Sequence, residues 1–554
     1  MRSTTTRVAM FAATLALGAS ACGDNLRTEE PDAAVAPPPD TTALLKSKVK
    51  TIVVIYAENR GFDNIYGLFP GANGIPGLNP SATGTIAKQL DRDAAGTLLG
   101  NLPLAWGGIT TAGFMPVITQ AMSRSDLPNA PYDLTATYGS VGFAGASTIT
   151  HDLVHRFFEN QMQIDGGTND KFVAFSDVGG LVMGYLDGSQ MALWRVAQRY
   201  VLADNFFIGA FGGSFLNHQY LICACAPEYP NADTTAIATP AISVLAPGGG
   251  PNLVLRPTAA PSAIDGGATF TASGALAPKD YFGDGTFRAV NTAQPPYQPS
   301  SNPPAANDAT KLYADPLGTR GLTLPPQTEP TIGDQLDARS VTWKWYAGAF
   351  TSTLATAQGD RQFPTLPGLS TNYQFHHHPF NYFAKFDPVS GAAARQAHFD
   401  DETTLLADIA AGTLPGVVFY KPEGVYNQHP GYASVEAGDQ HLADLIAKLE
   451  ASPQFANMVI VVTYDENGGW WDHVAPPKAD LLGPGSRVPT IIVSPFAKAG
   501  TVDHTQYDTA SILRLIDRRF DLSPLPGIAV RDNALVAAGG KPMGDLTAAL
   551  DLTK

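Results

Sequence analysis

The chain has 554 residues, 44% of them hydrophobic and 15% charged, which supplies ample apolar material for a packed core and excludes a disordered composition. Its formal net charge is −15 and it has no cluster of Lys and Arg, so a surface that binds nucleic acid through the phosphates is excluded and no nucleic-acid partner is expected. Length alone allows one large domain or several small ones; motif-like segments spread from about residue 51 to residue 520 favour one.

Residues 1–21 read as an export signal. Arg2 and Arg7 precede the apolar stretch from Val8 to Leu17, and Gly18 to Ala21 supply the small residues of a cleavage site. The apolar stretch is too short to span a bilayer. Cys22 follows directly. It is either the lipidated first residue of an outer-membrane or periplasmic lipoprotein, attaching the protein to a membrane, or the start of a secreted chain cleaved after Ala21; both readings make the protein exported. Residues 22–48 are rich in Ala, Pro, Asp and Thr, include Pro37-Pro38-Pro39, and are expected to form a flexible linker before a single domain at residues 49–554.

Thr51 to Tyr56 is a short β-branched run that reads as a buried parallel strand, and Glu58-Asn59-Arg60 follows it. His151 and His155 bracket His-Asp-Leu-Val-His. A strand is expected from Val201 to Phe206, then Phe211-Gly-Gly-Ser-Phe-Leu-Asn217, in which two glycines allow a tight turn that exposes the Ser214 hydroxyl at the start of a helix. Taken alone, Ser214 reads as a helix cap; beside a metal it becomes a nucleophile, and a phosphate fits the same helix start. Cys223 and Cys225 stand one residue apart, awkward for a disulfide, and read as small buried residues. Residues 240–330, crowded with Pro, Gly, Ala and Asn, are expected to be an irregular surface insertion.

His376-His377-His378 and Asn427-Gln-His429-Pro lie in Pro-marked loops, suited to holding an anionic ligand or moving a leaving-group proton. Further strands are expected at Val417 to Tyr420, Met458 to Tyr464 and Val488 to Ser494. Helices are expected from Ser434 to Leu449 and from Thr509 to Phe520, where apolar residues recur every three to four positions. This alternation predicts an α/β fold with a mainly parallel sheet covered by helices on both faces. Asp465-Glu466-Asn467 follows the second most apolar strand, as Glu58-Asn59 follows the first. In such a sheet the carboxyl ends of the strands form the ligand crevice, so Glu58, Asn59, Asp465 and Glu466 are expected to converge on a divalent metal ion. His473, next to the second acidic cluster, is expected to support that site and contact substrate.

Three segments carry a family resemblance: Tyr56-Ala-Glu-Asn-Arg-Gly-Phe-Asp63, Thr463-Tyr-Asp-Glu-Asn-Gly-Gly-Trp-Trp-Asp-His-Val-Ala-Pro-Pro477, and Gly485-Ser-Arg-Val-Pro-Thr-Ile-Ile-Val-Ser-Pro495. In order and content they resemble the bacterial phosphoesterase family of acid phosphatase A and the phospholipases C, within the alkaline-phosphatase-like superfamily. The resemblance implies an alkaline-phosphatase-like fold with large loop insertions and a metal-dependent phosphoric ester hydrolase. Its metal ligands would be Glu58, Asn59, Ser214, Asp465 and Glu466, with Ser214 as the nucleophile. It gives His151, His377 and His429 catalytic roles around the phosphoryl or leaving group, and substrate contacts to His376 and Asn217. Gly61 departs from the pattern, which often has Ser there. The His-His-His-Pro-Phe-Asn-Tyr segment is closer to the acid phosphatases, which implies a small phosphate ester as substrate; a phospholipid head group is the alternative, with Phe206, Phe207 and Phe211 as the apolar rim it needs. A non-catalytic surface binding protein on the same fold would lack a nucleophile or a ligand, and none is missing.

Overall fold

The structure, a computed structural model, describes residues 40–111, 113–232, 253–255, 259–272, 285–355 and 373–554. The export signal, Cys22 and most of the expected linker lie outside these residues.

Eight strands form the central sheet: β1 (Thr51–Ala57), β2 (Val201–Ala203), β3 (Trp343–Ala347), β4 (Phe399–Asp401), β5 (Val417–Lys421), β6 (Met458–Tyr464), β7 (Thr490–Val493) and β8 (Thr501–Asp503). They lie in the order β8-β2-β7-β6-β1-β5-β3-β4, and every pairing is parallel except those of β7 with β6 and β2. Thr51 stands opposite Met458 and Tyr56 opposite Thr463, so β1 and β6 end level with each other. Successive side chains of a strand point to opposite faces, and every residue of β1 and β6 is buried. Both faces are therefore covered, as a continuous Val/Ile run requires.

The helices that matter for the site are α1 (Thr42–Lys48), α2 (Ser214–Cys223), α3 (Val435–Ala451) and α4 (Thr509–Phe520). Helix α4 packs on α1 and α2, while α3 packs on the helices Ala192–Arg199 and Glu402–Ala411. Ser434 caps α3 by accepting from the Ala437 N–H at 3.1 Å. Among the described residues no helix is long and apolar enough to cross a membrane.

Three expectations need correction. The last part of the expected linker is not a tether: Thr42–Lys48 is α1, Leu45 is fully buried, and Thr42 and Lys46 bond to Arg518 and Asp521. Its Ala/Pro-rich surroundings hide the one leucine that docks it. Cys223 and Cys225 form a disulfide, because Ala224 between them turns left-handed (φ 49°) and brings their Cα atoms to 5.1 Å. The described part of the insertion is irregular apart from the short hairpin Leu253–Leu255 with Phe270–Ala272. It is not confined to the surface: Ala289, Val290, Ala293 and Tyr297 are buried, and the Ala293 carbonyl accepts from the Tyr382 hydroxyl at 2.7 Å.

Asp517, on the buried side of α4, has neither carboxylate oxygen hydrogen-bonded, and burial pushes its pKa up to about 7 against the opposing pull of Arg514. The folded protein thus keeps a proton that the unfolded chain, with its ordinary carboxylate pKa near 3.8, gives up. The contribution of this group falls as pH rises from about 4 to about 7 and stays low above that. Asp517→Asn is expected to match the wild type near pH 4 and to be more stable above pH 7, by up to about 4 kcal/mol, in denaturant titrations at the two pH values; equal stability at both would show that the carboxylate is not held protonated.

Candidate active site

Strands β6, β1 and β5 are neighbours, and the residues at and beyond their carboxyl ends meet over the sheet edge. Glu58 and Asn59 leave β1, Asp465 and Glu466 leave β6, and Lys421 ends β5. Asn59 is left-handed (φ 57°), a conformation Asn tolerates, and its N–H donates to Asp465 Oδ1 at 3.0 Å. Gly468 also has positive φ (62°), and a Cβ there would stand 2.3 Å from the Asn59 carbonyl oxygen. Only glycine lets the acidic loop close onto the exit of β1.

Helix α2 delivers Ser214. Gly212 has φ +78°, and a Cβ on it would meet the Phe157 nitrogen at 2.3 Å, so the turn before Ser214 lies directly against the segment that carries His155. Asn217 braces this turn. Its Nδ2 donates to the carbonyls of Ala210 and Gly212 at 3.0 Å, and its Oδ1 accepts from the Ala210 N–H at 2.9 Å.

Each buried carboxylate divides its two oxygens between scaffold and site. Glu58 Oε1 contacts Lys421 Nζ and lies 2.9 Å from His377 Nδ1, while Oε2 lies 3.2 Å from Ser214 Oγ. Asp465 Oδ1 accepts from the N–H groups of Asn59 and Glu466, and its Oδ2 has no hydrogen-bond partner. Glu466 Oε2 accepts from the Gly468 N–H at 2.6 Å, and its Oε1 is likewise unpartnered. Asn59 Oδ1 is 3.2 Å from Ser214 Oγ. Burial and the charge of Asp465 push the carboxyls of Glu58 and Glu466 well above the usual range.

Three carboxyl groups thus share one ammonium in a fully buried space, too little positive charge for all three to ionise without a further cation. Buried charge of this kind persists only when paired. Glu58 Oε2 and Asn59 Oδ1 meet at Ser214 Oγ, and among the described residues Asp465 Oδ2 and Glu466 Oε1 have no other partner; hard oxygen donors of this kind suit a divalent cation.

The histidines divide into two groups. His377 is buried with both ring nitrogens otherwise unpartnered, and it stacks on His218 with ring centroids 4.6 Å apart. His218, one turn after Ser214 on α2, bonds the Ser214 carbonyl through Nδ1 at 2.8 Å, and its Nε2 is 3.9 Å from Glu58. Burial lowers the pKa of both rings well below the ordinary value, so they face Glu58 as neutral imidazoles. The second group lies at a cavity of about 270 Å³ whose lining includes Ser214, His155, His376, His429, Asp152 and Arg156. His155 Nε2 is 3.3 Å from Asn59 Nδ2 and 3.6 Å from Glu466 Oε1. His376 is pushed down to about 3 by burial and by Lys421.

The sequence-derived set is therefore regrouped. Glu58, Asn59, Ser214, Asp465, Glu466 and His377 converge, and His376 and His429 line the cavity. His151 does not: its backbone pairs with Ile109, its ring lies against Gly107, and the second histidine of the same motif, His155, takes the place at the site. Asn217 is occupied as the brace described above rather than free for substrate. His473 belongs to a separate buried network, where its ring bonds Asp63 at 2.7 Å while Arg487 bridges Asp63 and Asp472. His155, His218 and Lys421 were missed. The signals were the four-residue spacing of His155 from His151, the one-turn spacing of His218 from Ser214, and a Lys closing a buried strand.

Asn217→Ala would strand two buried carbonyls and an N–H, and is expected to destabilise the protein by about 3 kcal/mol or more. Unchanged denaturation would show that the side chain does not brace the turn.

The profile described as the Phosphoesterase family matches residues 49–523. Among curated relatives, the non-hemolytic phospholipase C of Pseudomonas aeruginosa is 28% identical over 179 residues, 26% of this chain and 25% of that protein. Phospholipase C B of Mycobacterium tuberculosis is 25% identical over 273 residues, 42% of this chain and 47% of that protein. The chain thus spans a quarter to a half of the length of these relatives. A crystal structure of an alkaline phosphatase superfamily protein from Vibrio parahaemolyticus aligns over 63% of this chain and 64% of that one, with 9% identity and a TM-score of 0.27, too low to bear on the fold. With the profile spanning nearly all of the folded chain, the protein belongs to the Phosphoesterase family.

Proposed function

We propose that the protein is a metal-dependent phosphoric ester hydrolase acting on small phosphate monoesters through a phosphoserine on Ser214. The observation that carries this reading is the placement of Ser214, which lines the cavity with its hydroxyl 3.2 Å from both Glu58 Oε2 and Asn59 Oδ1. A divalent cation held by Glu58, Asn59, Ser214, Asp465 and Glu466 would supply the positive charge that lowers the proton affinity of the serine hydroxyl. Ser214 gives up its hydroxyl proton to solvent as Oγ bonds to phosphorus and the bond to the leaving oxygen breaks, and His155 or His429 gives that oxygen a proton. Water then attacks phosphorus, returning one proton to the histidine and keeping the other on the phosphate, and the bond from phosphorus to Oγ breaks as Oγ takes a proton back from solvent.

The monoester preference rests on the cavity. Of the three residues that would form an apolar rim for a lipid, Phe206 and Phe207 are buried in the core and Phe211 is half-buried. The names of the curated relatives favour phosphodiester cleavage of phospholipids as the second reading. Turnover of p-nitrophenyl phosphate set against phosphatidylcholine decides between them.

Ser214→Ala is expected to reduce hydrolysis of p-nitrophenyl phosphate by about 1,000-fold or more, with melting temperature nearly unchanged; undiminished turnover would remove the mechanism. Chelation is expected to abolish activity and lower the melting temperature. Re-addition of Mg, Mn or Ca is expected to restore both, because an ion at a hundred times its dissociation constant stabilises by about 2.7 kcal/mol. Full activity after exhaustive chelation, with no metal in elemental analysis, would remove the metal from the reading.

A further inference from the structure

Asp152 is not accounted for by the oxygen cage, yet it sits between the two histidines of the cavity. Its Oδ1 is 3.7 Å from His155 Nδ1 and 3.9 Å from His429 Nδ1. Among the described residues that oxygen has no hydrogen-bond partner. The two rings stand edge to face, 5.6 Å between centroids. Each Nδ1 also meets a nearby backbone carbonyl, Leu153 for His155 and Pro430 for His429. A carbonyl only accepts, so Nδ1 carries the hydrogen in both rings and Nε2 is left as the working atom. His155 Nε2 indeed faces Asn59 and Glu466, the groups around Ser214.

The carbonyls explain the tautomer but bring no charge. A histidine that donates a proton to a leaving oxygen must first hold one on Nε2, and in a buried setting the resulting imidazolium needs a counter-charge. Of the cage carboxylates, Glu466 Oε1 lies 3.6 Å from His155 Nε2, on the side from which the proton is given. Asp177 bonds the Val154 N–H, which leaves Asp152 as the carboxylate placed behind both rings. Burial pushes the Asp152 carboxyl up to about 6, with Asp177 adding to the rise and His155, Arg60 and Arg156 opposing it, so the charged form prevails above that pH.

We propose that Asp152 is a positioning residue shared by His155 and His429, fixing both rings with Nε2 toward the cavity and supporting the one that protonates the leaving oxygen. One carboxylate behind two rings supports one imidazolium at a time, which divides the pair into a proton donor and a neutral partner. The inference rests on the hydrolase reading above and assigns it a residue outside the metal cage.

The test compares Asp152→Asn with wild type, as full-length metal-loaded protein, on an alkyl phosphate whose leaving oxygen needs a proton and on p-nitrophenyl phosphate, whose leaving group does not. The expected result is a loss in kcat of about 100-fold on the alkyl ester, a change of no more than about threefold on the nitrophenyl ester, KM little altered on both, and partial rescue of the alkyl reaction by Asp152→Glu. Equal losses on both esters would mark a merely structural role, and no loss on either would show that the carboxylate is idle; each overturns the inference while leaving the hydrolase reading intact. A wild-type protein inert towards both esters would instead remove the hydrolase reading and this inference with it.

Discussion

The arrangement depends on three carboxyl groups and one ammonium held together in a buried place. Glu58, Asp465 and Glu466 are all fully buried at one sheet edge, and Lys421 offsets one of the three. Carboxylates so placed repel one another and lose hydration, which is why Glu58 and Glu466 hold protons more tightly than usual. Such a cluster persists because the surrounding backbone over-determines it. Each acid spends one oxygen on a local partner; the other faces Ser214 in Glu58 and, among the described residues, has no hydrogen-bond partner in Asp465 and Glu466.

That division of labour explains why neighbouring residues are as informative as the ligands. Asn59 in its left-handed conformation and Gly468 against its carbonyl lock the loops after β1 and β6 together. Gly212 and Asn217 do the same for the turn ahead of α2. Backbone donors and glycines fix where the carboxylates and the hydroxyl stand, so the site needs little rearrangement to take a cation and a phosphoryl group. The irregular segment after residue 285 completes the enclosure: Val290, Asn291 and Thr292 line the cavity, so a stretch without regular secondary structure still shapes the entrance.

The strands and helices that proved legible were those whose burial leaves an uninterrupted record. Val/Ile runs marked β1 and β6, and the three-to-four spacing of Ile512, Leu515 and Ile516 marked α4. Elements β3, β4 and β8 were not foreseen. Trp343 to Ala347 carries a Lys within an aromatic run, and β4 and β8 are three residues each, too short for a period to show. α1 escaped for the opposite reason, a docking contact made by essentially one leucine inside a composition that reads as linker.

What the sequence by itself determined was the local chemistry: which strands are buried on both sides, which acids follow them, and that a serine behind two glycines opens a helix. Those follow from periodicity and from backbone geometry, both properties of neighbouring residues. Which histidine of a motif reaches the site, whether Asn217 touches substrate or holds a turn, and that Lys421 and His218 stand beside Glu58 were decided only by the tertiary structure. These depend on the register of β1 against β5 and β6 and on the direction in which α2 and the 151–156 segment leave their turns. Such orientations arise from contacts between segments far apart in the chain; local spacing singles out His155, His218 and Lys421 as candidates without showing which group each one meets.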